Sequence, residues 1–139
     1  MKELEYPFDA AYIIKKRKSL KKALLADGTS RIRKKIAVLG GSTTSDIVKT
    51  LELFLLDAGI EPEFYESEYA QYFQDAMFPD ETLLSFKPDI VFIHTTNRNV
   101  TDWPEMIDTT EQIDEKLHTE INRFTAMWKS IAEKFHCPI

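Results

Sequence analysis

Glycine and polar residues follow two short apolar segments of the chain. Gly40, Gly41 and Ser42 come directly after the first segment, and a polar run from His94 to Asn99 follows the second. Glycines let the backbone approach a ligand, and a serine in such a turn could act as a nucleophile beside the N–H groups of a following helix. The pattern predicts a ligand-binding turn, with acyl transfer as one possible chemistry. The alternative is that the hydroxyl residues only cap the helix.

The elements that must position these residues are buried parallel strands. Short β-branched and apolar runs bounded by turn residues are typical of such strands. The predicted strands are Lys34–Gly41, Pro62–Glu66 and Pro88–His94, with a helix at Ile47–Ala58 and a long amphipathic helix at Glu111–Phe135. Ligands of open parallel sheets bind beyond the carboxyl ends of the strands, where the strand order reverses. The two polar segments are therefore expected to form one site.

The order of these elements predicts an α/β protein with three α/β/α layers and a parallel sheet of the flavodoxin-like type. A basic N-terminal helix, predicted at Phe8–Ala26, and its linker would occupy residues 1–33, and the α/β domain residues 34–139. Residues 136–139 are typical of the entry to a fourth strand, so the sheet is expected to be truncated after about three strands. Such a sheet leaves one strand edge and one face of its last helix uncovered. We therefore expect an N-terminal piece of a longer protein.

Composition narrows the class of protein. The chain has 139 residues, 43% of them hydrophobic, with a single Cys and a net charge of −5. Residues 1–35 carry 11 Lys and Arg against 4 Asp and Glu, whereas the remainder carries 7 against 19. The basic run Lys15–Lys22 could bind nucleic acid or acidic lipid, but a solvated helix face against an acidic domain or partner is the preferred interpretation. We therefore expect no nucleic-acid or membrane partner. Because Cys137 is the only cysteine and cannot form an internal disulfide, we also expect a cytoplasmic location.

Several common sites are not predicted. The sequence contains neither of the glycine-rich nucleotide motifs G-x-x-x-x-G-K-[ST] and G-x-G-x-x-G. Two Glu-x-x-His pairs, ending at His118 and His136, lie 18 residues apart on one predicted helix. That spacing separates them by about 27 Å along the helix axis, so they cannot share an ion. No metal site is expected.

Three segments in order resemble the N-terminal region of FkbH-like proteins of the haloacid-dehalogenase (HAD) superfamily. They are residues 34–44 (KKIAVLGGSTT), 64–69 (FYESEY) and 87–99 (KPDIVFIHTTNRN). The resemblance covers essentially the whole chain. It implies an SGNH-hydrolase-like α/β domain that precedes a HAD catalytic domain. The family is linked to making or loading phosphorylated three-carbon units, and to polysaccharide or polyketide biosynthesis.

The resemblance also assigns roles to residues. It places Ser42 at the nucleophile position and Asn97 or Asn99 at the asparagine of the oxyanion hole. The other candidate binding residues flank them at the two strand ends: Gly40, Gly41, Thr43, Thr44, His94, Thr95 and Arg98. The sequence departs from the pattern in having Gly-Gly-Ser where active SGNH hydrolases have Gly-Asp-Ser. It also lacks their late Asp-x-x-His block and the HAD motif Asp-x-Asp-x-[Thr/Val].

Three functions are compatible with these features. The leading hypothesis is an accessory domain that positions a substrate or carrier for a HAD-type phosphatase or phosphotransferase-like hydrolase; alone, the segment is expected to be inactive. The expected partners are the downstream HAD domain, an acyl or glyceryl carrier or a sugar substrate, and a second copy of the chain. No cofactor is expected in this segment, and Mg²⁺ only in the downstream domain. The alternatives are an SGNH-type esterase or deacetylase using Ser42, and a non-enzymatic interaction module whose basic helix binds an acidic surface.

Overall fold

A computed structural model describes residues 1–139 and shows three β-strands and five α-helices. The elements in chain order are α1 (Ala10–Ala26), β1 (Ile32–Gly40), α2 (Ser45–Asp57), β2 (Ile60–Glu66), α3 (Tyr72–Met77), α4 (Glu81–Phe86), β3 (Ile90–His94) and α5 (Thr110–Phe135). Short 3-10 turns at Lys2–Leu4 and Asn97–Asn99 complete the secondary structure. None of the helices combines the length and the apolar character needed to span a lipid bilayer.

The three strands form one parallel sheet in the order β2-β1-β3, and helices cover both of its faces. Side chains of β1 alternate between the two faces, as expected for a strand. Ile36 and Val38 pack with Val48 of α2 on one face. Ala37 and Leu39 pack on the other face, against α3 and α5. The predicted α/β class and parallel sheet are confirmed.

Helix α1 adds a further layer outside α2. It begins at Ala10, two residues later than the sequence predicts, because Asp9 is its N-cap and accepts a hydrogen bond from the backbone N–H of Tyr12. The buried apolar residues of α1 pack with α2 in a second core, made up of Leu4, Ile13, Leu20, Leu24, Leu53 and Leu56. The N-terminal helix therefore has its own apolar contact with the α/β body.

The basic run of α1 divides into paired and exposed cations. Arg17 contacts Asp46 of α2 at 2.7 Å, and Lys21 contacts Glu52 at the same distance. The lysines at positions 15, 16, 18 and 22 are solvent-exposed. In these two ion pairs, basic residues of α1 contact acidic residues of the adjacent helix α2.

Apart from one hydrogen bond to the segment after α5, the outer edge of β3 is uncovered, and so is one face of α5. Along the predicted apolar stripe of α5, Ile131 is fully buried, whereas Leu117, Ile121 and Trp128 are about half exposed. At the edge of β3, the backbone N–H of Val91 donates to the carbonyl oxygen of Pro138 at 3.0 Å. The segment after α5 thus lies alongside β3, where the sequence predicts the entry to a fourth strand.

Candidate functional site

The structure brings Ser42 and His94 together at the carboxyl edge of the sheet. Ser42 follows β1, and His94 is the last residue of β3, which is paired with β1 through Gly40. The hydroxyl oxygen of Ser42 lies 3.3 Å from Nδ1 of His94, and both residues are partly buried. The order β2-β1-β3 reverses direction at β1, so this pair lies at the place where open parallel sheets bind ligands.

The two glycines of the turn allow close approach of neighbouring groups. A Cβ atom on Gly41 would lie 2.4 Å from the side-chain amide of Asn99, and one on Gly40 would lie 2.6 Å from Cγ2 of Thr44. The backbone N–H of Gly41 donates to the carbonyl oxygen of His94 at 2.8 Å. Glycine is therefore required at position 41 to let the two loops touch.

Asn99 holds these two loops together. Its Oδ1 accepts a hydrogen bond from the backbone N–H of Thr96 at 2.8 Å, and its Nδ2 donates to the carbonyl oxygen of Gly41 at 2.9 Å. The first bond closes the turn at residues 97–99, and the second ties that turn to the segment that carries Ser42. In this geometry one donor position of the Asn99 amide is used by Gly41; its role in an oxyanion hole stays a prediction.

Arg123 of α5 supports the same loop and was not identified from the sequence. Its Nη2 donates to the carbonyl oxygen of Asn99 at 2.6 Å, and its Nη1 contacts the hydroxyl of Tyr72 at 3.1 Å. The guanidinium also lies over the rings of Phe73 and Phe124. A lone arginine on an amphipathic helix gives no sequence signal for this contact, because the partners are 24 to 51 residues away.

Glu120, also missed from the sequence, completes this support. Its carboxylate binds Arg123 at 2.8 Å and accepts hydrogen bonds from the backbone N–H and the hydroxyl of Thr101. The hydrogen bond from Arg123 is the largest cause that lowers the pKa of Glu120 from 4.5 to about 2, with Thr101 adding to it. Glu120 is therefore ionised at neutral pH and fastens the loop after Asn99 to α5.

The start of α2 has no side-chain cap, although capping by the hydroxyl residues of this turn is one of the two interpretations that the sequence leaves open. The hydroxyl of Thr44, the N-cap residue, makes no capping bond and instead donates to Oε2 of Glu66 at 3.1 Å. The first N–H groups of a helix have no partner within the helix. Those of Ser45, Asp46 and Ile47 are therefore available near Ser42.

The remaining predicted site residues lie at the outer rim of the site. Thr43, Asn97 and Arg98 are exposed, and Thr95 is partly buried. The guanidinium of Arg98 makes no ion pair or hydrogen bond with the protein. No three His, Cys, Asp or Glu side chains are grouped in a way that could hold a metal ion.

A cavity of about 700 Å³ lies at the opposite edge of the sheet, at the amino ends of the strands. Its lining is polar and includes Arg33, Glu61 and Asp89. It contains none of the predicted site residues. The Ser42 site and this cavity are thus separated by the length of the sheet.

No protein-family model matches the chain, and no curated protein matches it. Among solved structures, its fold is similar to the N-terminal part of the protein BF1531 from Bacteroides fragilis, which contains a phosphatase domain and was crystallised in complex with Mg. The TM-score is 0.63 and the sequences are 19% identical. The likeness covers 81% of this chain but only 30% of the BF1531 chain. This likeness supports the α/β fold described above. The chain corresponds to less than a third of the BF1531 chain.

Proposed function

We propose that this chain is the N-terminal accessory domain of a longer FkbH-like enzyme of the HAD superfamily, where it positions a substrate or carrier. The observation that carries the proposal is the structural likeness to the N-terminal part of BF1531. That likeness extends over 81% of this chain and 30% of a protein that also contains a phosphatase domain. The SGNH-like character of the domain rests on the three sequence segments alone.

The uncovered edge of β3 supports the proposal that this chain is part of a longer protein. Alternate residues of an edge strand direct their backbone groups outward, and Val91 already uses its N–H to bind Pro138. Phe92, Trp128 and Ile139 line an apolar hollow of about 450 Å³ beside this edge. Exposed apolar surface next to a free strand edge favours association with further protein. In this proposal a downstream strand and HAD domain cover it.

Phosphoryl chemistry would then belong to the downstream domain. The HAD nucleophile motif Asp-x-Asp-x-[Thr/Val] is not in this sequence. Mg²⁺ would bind in that other domain, beside its own carboxylates. A cytoplasmic enzyme of polysaccharide or secondary-metabolite biosynthesis, acting on an acyl or glyceryl carrier or a sugar, fits this assignment.

The ligand that the site fits best is anionic. The unpaired guanidinium of Arg98 lies on the loop that follows β3, and the free N–H groups at the start of α2 face the same edge of the sheet. Arginine and helix N-termini both favour phosphate or carboxylate groups. The phosphorylated three-carbon units that the FkbH-like resemblance implies carry a phosphate, and phosphoglycerate is a unit of this size that also carries a carboxylate.

Two measurements test the proposal. An antibody against the chain should detect in its source cells a protein much larger than 16.1 kDa, and its reading frame should encode a HAD motif. A native product of about the size of this chain would contradict the accessory assignment.

The second measurement is an amide-resolved NMR titration of the labelled chain with phosphoglycerate. We expect shifts at Gly41, Ser42 and Arg98, and weaker binding in the Arg98→Gln variant. Arg33→Gln, at the opposite edge of the sheet, is the matched control. Shifts confined to the cavity around Arg33, or none, would rule out the site.

A further inference from the structure

We propose that Ser42 of this chain accepts an acyl group from the bound substrate or carrier, with His94 as the general base. The inference rests on the site proposed above and adds a covalent step to it. Its main observation is the 3.3 Å contact between the hydroxyl oxygen of Ser42 and Nδ1 of His94. A serine becomes nucleophilic when a neighbouring base can remove its proton, and a contact of this length lies within the range found in unliganded enzymes.

The central sheet fixes this pair in place. Gly40, two residues before Ser42, is the register partner of His94. The backbone N–H of Gly41 also donates to the carbonyl oxygen of His94. Residues 36–40 of β1 are buried, so both side chains are anchored at the end of a buried strand and its paired neighbour. Their proximity is built into the strand pairing and does not depend on a surface loop alone.

His94 is a different base from the one that the SGNH resemblance implies. In those hydrolases the histidine belongs to a late Asp-x-x-His block, and no Asp in this sequence has a His three positions later. Here the histidine comes from the end of β3. No carboxylate of this chain contacts the other ring nitrogen, Nε2. We therefore expect slow acylation and a long-lived acyl-serine, since an orienting acid normally contributes strongly to catalysis by such a pair.

The neighbouring backbone can stabilise the charge that develops during acylation. The free N–H groups of Ser45, Asp46 and Ile47 begin α2 three to five residues after Ser42. Donors of this kind stabilise an oxyanion without having to reorganise. Because Thr44 binds Glu66 and does not cap the helix, no side chain of the protein occupies these donors.

The proposed step transfers an acyl group from an ester or thioester. Nδ1 of His94 takes the hydroxyl proton while Oγ of Ser42 bonds to the carbonyl carbon. The bond from that carbon to the alcohol or thiol then breaks, and the leaving group takes the proton from His94. The product is an ester on Ser42. An acceptor alcohol or water releases the acyl group by the same steps in reverse order.

Acetylation of the whole 139-residue chain by nitrophenyl acetate tests the proposal. We expect intact-mass and peptide analysis to find one acetyl group, on Ser42, and a serine-directed fluorophosphonate to label the same residue. Ser42→Ala should lose both labels. Ser85→Ala, which removes an exposed serine of α4, should keep them.

The role of His94 needs its own readout. His94→Gln should slow labelling by about 100-fold or more, the usual contribution of a general base. The labelling rate of the native chain should depend on pH, and the variant should lose that dependence. His118→Gln, on the exposed face of α5, is the matched control, and circular dichroism checks that each variant is folded.

The outcomes separate this inference from the accessory function. If neither reagent labels Ser42, the acyl-serine is ruled out, whereas binding of phosphoglycerate by the same protein would leave the accessory role intact. If labelling persists unchanged in His94→Gln, His94 is not the base. If Ser42 is labelled but phosphoglycerate does not bind, the substrate class proposed above is wrong and the covalent step stands.

Discussion

The side-chain amide nitrogen of Asn99 donates a hydrogen bond to the carbonyl oxygen of Gly41, 2.9 Å away and 58 residues earlier in the chain. This bond joins the loop after β3 to the turn after β1. It therefore sets the distance between the segment that carries Arg98 and the segment that carries Ser42. A site made from two strand ends depends on such a link.

Loss of this bond should destabilise the protein. In Asn99→Asp, a carboxylate oxygen replaces the donor and faces the carbonyl of Gly41, leaving that acceptor unpaired. We expect a loss of about 1–3 kcal/mol in the free energy of unfolding, measured by urea denaturation. Asn97→Asp, two residues away and exposed, should change it by less than about 0.5 kcal/mol. Equal effects of the two substitutions would show that the Asn99 bond is unimportant.

Because Gly41 and Asn99 lie in close contact, substitutions at the two positions should have strongly non-additive effects on stability. In Gly41→Ala the new methyl group would lie 2.4 Å from the Asn99 amide, so the loops must separate, at a cost of about 1–3 kcal/mol. The double variant Gly41→Ala with Asn99→Ala removes the clash. Its loss of stability should be clearly smaller than the sum of the two single losses. Additive losses in urea denaturation would contradict the contact.

The ionised carboxylate of Glu120 should make the free energy of unfolding decrease at acid pH. Its pKa is about 2 in the folded protein, below its ordinary value of 4.5. The folded state therefore favours the charged form, and this contribution is present above pH 4.5 and is lost as the pH falls towards 2. Unfolding free energies measured across this range should decline less steeply in Glu120→Gln than in the native protein. Glu115→Gln, on the same helix and exposed, should follow the native curve.

Helix α1 should be part of the cooperative fold. Leu24 is 1% exposed in its contact with α2, whereas its neighbour Leu25 is 52% exposed. Leu24→Ala should lower the free energy of unfolding by about 2–5 kcal/mol. Leu25→Ala should have little effect. If Leu24→Ala left the unfolding midpoint unchanged, α1 would be an independent appendage.

Most of the secondary structure was predictable from local patterns. The strand before Gly40 is a short apolar run that ends in glycines, and α5 follows a repeat of apolar residues at steps of three and four. The boundaries of the predicted elements differ from the observed ones by one or two residues, for example where a flanking residue caps a helix or extends a strand pairing. Asp9 caps α1 and shortens it, whereas Ile32 pairs with Ile60 and lengthens β1. Such shifts depend on hydrogen bonds that a local pattern does not specify.

The candidate site was only half predictable. Ser42 and His94 stand out because each follows an apolar run that is typical of a strand. Arg123 and Glu120 do not, because they resemble the polar face of any amphipathic helix. Thr44 looked like a helix cap, but its hydroxyl binds Glu66 at the end of β2. Which of two possible hydrogen-bond partners a side chain binds depends on the tertiary structure, because the pairing of the strands determines which partner lies within hydrogen-bond distance.

The sequence by itself determined the parallel strands, the helices and the two strand ends where polar residues gather, because these follow from the local order of apolar, polar and glycine residues. Only the tertiary structure decided which of those polar residues meet. Ser42 and His94 are 52 positions apart, and their contact exists because β3 pairs with β1 and ends beside Gly40. Strand register and long-range hydrogen bonds, which no local pattern encodes, convert two separate turns into one site.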